Sequence, residues 1–168
     1  MLLPPPPFIR LLLATKAALE AVDYEDLAGF AVTVRHHRGR HPSAGELPAL
    51  SILFDENEID GEDSLTSYES GNDLKITLQA DKLLDPEDQD LDPTGLLGAG
   101  RMLAAGQIAL IAEGGPLIPL LCDWVSSGAI ALDEDSSADL VRVTQEFTVR
   151  YRTLTLEPNT LLAMGEQP

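Results

Sequence analysis

DLVRVTQEFTVRYRTLTLE, residues 139–157, alternates apolar and polar side chains along most of its length. Val141, Val143, Phe147, Val149 and Tyr151 share one face, with Gln145 its only polar member. Arg142, Thr144, Glu146, Thr148, Arg150 and Arg152 take the other. Period two over such a run predicts a half-buried strand of about 12 residues. Leu154 and Leu156 then switch parity, which predicts a bulge or a face covered by a partner.

Upstream, the same period recurs twice. Leu74, Ile76, Leu78 and Ala80 oppose Lys75, Thr77 and Gln79, and before them Leu50, Ile52 and Phe54 alternate just after Pro48. Between these strands, six of the nine residues Asp55–Asp63 are acidic, which predicts a solvated hairpin loop. Phe30, Val32 and Val34 predict a further short strand, followed by a compact basic loop, Arg35–His41. A second acidic loop, DPEDQDLDPTG, precedes a helix for which Asp92 is a good cap and Pro93 a good first residue. That helix runs through GLLGAGRMLAAGQIALIAEGG, with Leu96, Leu103, Leu110 and Ile111 as its expected core stripe. Its Gly and Ala residues permit close approach of a sheet or of another subunit. A brief helix or turn is expected around LLCDWVSSG.

Near the start, Phe8, Ile9, Leu12, Leu13 and Leu19 recur at helical spacing and predict a helix over about residues 8–22. Four prolines, Pro4–Pro7, break the apolar run before it, so the opening reads as a polyproline arm rather than a leader. No stretch approaches the roughly 18 apolar residues that a membrane-spanning helix requires. The order helix, two or three strands, helix, one or two strands predicts an α+β fold: an antiparallel sheet of about four strands with two main helices packed on one face. The division is a proline-rich arm over residues 1–7, a single domain over 8–153 and a C-terminal extension over 154–168. No internal repeat of fixed period is present.

With 28 acidic and 11 basic residues among 168, the formal charge is −17. That argues against general binding to nucleic acid or to an anionic membrane, both of which need Lys and Arg to meet phosphate. One cysteine, Cys122, excludes an intramolecular disulfide framework and a multi-Cys zinc site.

Motifs for chemistry are weak. Gly98 and Gly100 lack the third glycine of a dinucleotide fingerprint and follow no strand. Asp88, Asp90 and Asp92 mimic the start of a calcium loop, but Pro93 stands where glycine is needed and Ala99 where glutamate is needed. His36, His37 and His41 lie beside three arginines, whose charge disfavours a metal. Cys122 reads as structural, Ser126 and Ser127 lie outside a nucleophile elbow, and Trp124 reads as a core anchor. No cofactor and no enzymatic activity are expected.

The order of elements, with LPALSILFDENE leading into a strand followed by acids and FTVRYRT closing the domain, resembles the tail terminator (tail completion, or minor tail) proteins of long-tailed phages over about residues 8–153. The resemblance implies a virion structural protein, assembled in the host cytoplasm. It would cap the tail tube as a homo-oligomeric ring, expected to be a hexamer, end tail polymerisation and meet the head–neck proteins. DNA would pass through the lumen without specific binding, since like charges repel. Arg35, Arg38, Arg40, Arg142, Arg150 and Arg152 are the candidate basic contacts with a neighbour, and Asp55, Glu56, Glu58, Asp88 and Asp90 the acidic ones. Two other readings stand beside it: another head–tail connector or tail-tube-like subunit, and a small ligand-binding module or enzyme.

Overall fold

A computed structural model describes residues 5–36, 42–60, 69–84, 92, 94–111, 124–132 and 139–154. Among the described residues, three α-helices, α1 (Pro7–Glu20), α2 (Tyr24–Ala28) and α3 (Leu96–Ile111), accompany five strands, β1 (Thr33–His36), β2 (Ala49–Asp60), β3 (Glu69–Leu83), β4 (Trp124–Leu132) and β5 (Leu140–Leu154). The strands form one sheet in the order β1-β2-β3-β5-β4. The fold is α+β, as expected, and antiparallel except at one edge, where β1 runs parallel to β2. A parallel pair cannot be closed by a tight turn. The described part of the connection, residues 42–48, holds a one-turn helix over Ala44–Glu46.

Four strands were expected and five are described, because WVSSGAIAL forms β4 rather than a helix or turn. Its pairing with β5 slips between Ser127 and Ile130, which interrupts the alternation that would have marked it. β5 itself pairs with β3 in unbroken register from Leu140↔Leu83 to Leu154↔Glu69, so no bulge falls within the described part of the strand, and Leu156 lies outside the described residues. The irregularity lies instead in β2, between Phe54 and Glu56. That strand continues to Asp60, so residues 55–60 belong to a strand and not to a hairpin loop.

Both long helices pack on one sheet face. Leu50, Ile52, Leu74, Ile76, Leu78, Ala80, Val143, Phe147 and Val149 line it and are buried. A Cβ on Gly106 of α3 would stand 3.2 Å from both Leu78 and Leu19, which is how close helix, sheet and α1 come. Pro7, at the first position of α1, is buried, so the proline run ends inside the helix. Thr15 is buried in α1 and satisfies its hydroxyl by donating to Leu11 O at 2.9 Å. Leu103 and Leu110 face the core as expected, joined by Ala99, Met102 and Ala105, but Leu96 is 42% exposed. A helix apolar on every side carries too little contrast to set its own phase.

α2 was not foreseen. Asp23 caps it by accepting from Asp26 N at 3.1 Å, and Gly29 closes it at φ 87°. Burial pushes the Tyr24 phenol well above its usual range, and its hydroxyl finds no hydrogen-bond partner among the described residues. Tyr24→Phe is therefore expected to leave stability within about 0.5 kcal/mol of the native chain, or to raise it, because no bond is lost. Urea unfolding checks this, and a loss above about 1 kcal/mol would reveal a hidden partner.

Gly95, just before α3, has φ 67°, and a Cβ there would lie 2.7 Å from Val141 Cγ2 and 2.9 Å from Leu84 Cδ2. Gly95→Ala is expected to cost about 1–3 kcal/mol through overpacking alone, read from the denaturant midpoint at unchanged slope.

Candidate functional site

The sheet face away from the helices was expected to be solvated. Its central part is buried and polar. Cross-strand register sets Asp81 opposite Arg142 and Gln79 opposite Thr144. The Arg142 Nε donates to Asp81 Oδ1 at 2.6 Å, with the two side chains 4% and 0% exposed. Gln79 Nε2 donates to the other Asp81 oxygen at 2.7 Å. Asp81 therefore accepts one bond on each oxygen, one of them from a cation, which is the arrangement that makes a buried carboxylate tolerable. Ser51 and Thr77 are buried in the same region, and Ser51 Oγ has no hydrogen-bond partner among the described residues.

Further along β5, Arg150 grips Asp73 with two bonds, Nε to Oδ1 at 2.8 Å and Nη2 to Oδ2 at 2.9 Å. Both side chains are partly exposed, at 28% and 20%. On β1, Arg35 Nη1 donates to Glu46 Oε2 at 3.2 Å. The same Glu46 oxygen accepts from Ser43 N and Oγ, at 2.7 and 2.8 Å. Arg152, half-buried, lies opposite Gly71. Arg142, Arg150 and Arg35 are thus engaged within their own chain, by Asp81, Asp73 and Glu46 in turn. Arg142 is the clear departure from an outward basic face.

Of the acidic candidates, Asp55 stands at the β2 irregularity, Glu56 pairs in register with Lys75, and Glu58 with Asp73. The structure brings Glu58, Asp73 and Arg150 into one row across β2, β3 and β5. Arg38, Arg40, Asp88 and Asp90 lie outside the described residues.

Where α2 meets the start of α3, a cleft of about 190 Å³ is lined by Gly29, Phe30, Lys82, Asp92, Leu97 and Arg101, among others. Lys82 is buried, with its ammonium 5.6 Å from the centre of the Phe30 ring. Asp92 accepts from Leu97 N at 3.1 Å and from Gly98 N at 2.8 Å, so it caps α3 as expected, but from four residues ahead of Leu96. The free N–H groups that would attract an anion are already taken. Among the described residues, no group of three or more His, Cys, Asp or Glu is placed to hold a metal ion, and no helix is long and apolar enough to cross a membrane.

No known family model and no curated protein matches this sequence. Solved structures do share its fold. One is a chain from the virion of a native gene transfer agent particle, similar over 82% of this chain and 91% of that one, with a TM-score of 0.55. At 16% identity the likeness is one of fold.

The signal for the Asp81–Arg142 pair lay in the register. Once Ala80 and Val143 are matched as core residues of adjacent strands, Asp81 and Arg142 fall opposite each other. Nothing in the local sequence marks either as buried.

Proposed function

We propose that this chain is a structural protein of a phage-like virion, and that it caps the tail tube as a ring, ends tail polymerisation and presents a surface to the head–neck proteins. One observation carries the reading: its fold runs nearly the full length of a chain from a gene transfer agent virion. The element order read from the sequence supports the same role. So does the charge of −17, which repeated around a ring would keep passing DNA from adhering. The reading gives the chain no catalytic role and no cofactor, and its partners are copies of itself, the tail tube and the neck.

The length of β2 and β3, 12 and 15 residues, favours a second reading, a tail-tube-like subunit or another connector of the neck, because tube subunits stack through long hairpins. Electron microscopy of particles made after deletion of the gene from its own genome separates the two. Tails of uncontrolled length, unattached to filled heads, are expected for the cap. Absent tails would point to a tube subunit, normal tails with leaking heads to a connector on the head side, and intact virions would overturn both readings.

A further inference from the structure

The 16 residues of α3 include one charge, Arg101, and no acid, in a chain that carries 28 acids. Leu97, Arg101, Ala104 and Ile108, at spacings of four, three and four, form one exposed stripe, whose first two residues also border the cleft at Phe30 and Lys82. Leu97 is 48% and Ile108 58% exposed. On the neighbouring helix α1, Leu13, also turned from the core, is 52% exposed. A surface helix ordinarily puts charge on its outer side. This one puts leucine and isoleucine there.

The order of the stripe is its own complement. Laid antiparallel on a second copy about the midpoint between Arg101 and Ala104, Leu97 meets Ile108 and Arg101 meets Ala104. Large apolar residues then face each other at both ends, and each arginine faces an alanine rather than a second arginine. In a parallel arrangement arginine would face arginine. Charge points the same way: copies at −17 repel, and they approach most easily along a helix free of acids.

We infer that two copies of this chain pair through α3 in an isologous, antiparallel contact, with Leu97 and Ile108 as its anchors. Residue i then touches j on the partner and j touches i. The apolar centre is small beside the roughly 800 Å² per partner of a standard interface, so dissociation falls in the micromolar range. The pairing does not rest on the virion reading. A cyclic ring is built from head-to-tail contacts, and this contact is not one.

Sedimentation of the purified full chain from about 1 to about 100 μM spans the expected transition. The mass should rise from the 18.1 kDa monomer to twice that, and raising salt from about 0.05 to about 0.5 M should strengthen the pairing by screening repulsion. Ile108→Glu should hold the chain at the monomer mass with unchanged circular dichroism, because the side chain is outside the core. For register, Leu97→Cys and Ile108→Cys are made separately in a Cys122→Ser background. Residues 97 and 108 are about 16 Å apart along the helix. The mixture of the two should therefore form disulfide dimers on oxidation, and neither variant alone should.

A monomer at every concentration, association that weakens with salt, or equal cross-linking by each variant alone would overturn the inference. A larger ring assembled without the mixed cross-link would overturn it while leaving the virion reading in place.

Discussion

Replacing Arg142 with methionine is expected to destabilise the chain by about 3–5 kcal/mol. The Asp81 carboxylate, fully buried, would keep only the Gln79 amide as a donor. Methionine fills similar space, so the loss measures the unpaired charge rather than a void. The double variant Asp81→Leu, Arg142→Met should recover much of the loss, because a buried ion pair exchanged whole for apolar groups is often neutral or better. Urea unfolding of the two single variants and the double closes the cycle. A single variant as stable as the native chain would mean that Asp81 reaches water.

Phe147→Ala is expected to cost about 3–5 kcal/mol, on the order of 10 °C in Tm. Phe147 is 1% exposed, on an interior strand, with Ile76 opposite it on β3 and Ser127 opposite it on β4. Nothing nearby can collapse into the space, since both neighbouring strands are held by their own ladders. Thermal unfolding reads the loss directly, and an unchanged Tm would place the ring outside the core.

The two substitutions sit five residues apart on one strand, and the sequence announces only one of them. Phe147 is legible because period two leaves no other face for it. Arg142 is not, because the same period assigns every arginine of β5 to solvent. Burial of the second face depends on what covers the sheet, which no local pattern encodes. β3 and the first half of β2 are legible for the same reason as Phe147, whereas α1 is legible as a helix but not in phase, since Leu11 and Thr15 are buried and Leu13 is 52% exposed. α2 escapes notice because five residues hold too few turns to show a period, although Asp23 followed by Glu25 and Asp26 is a helix start in miniature. In α3 the element is plain and its phase is not, so Leu96 was assigned inward and stands outward. Of the candidate contacts, the residue types were visible and the partners were not. Asp73 and Arg150 are 77 residues apart, Asp81 and Arg142 61.

Those separations follow from the position of β5, last of the described strands along the chain and fourth in the sheet. It lies between β3 and β4, so until residues 140–154 leave the ribosome β3 presents an open edge of 15 residues. Such an edge is a template for pairing with other nascent chains. Closing the sheet also waits on long loops, which slows folding compared with a helical bundle of similar size. The sheet therefore closes only once β5 has been made, and a product truncated before Leu140 has neither the ladder nor the Arg142 that neutralises Asp81.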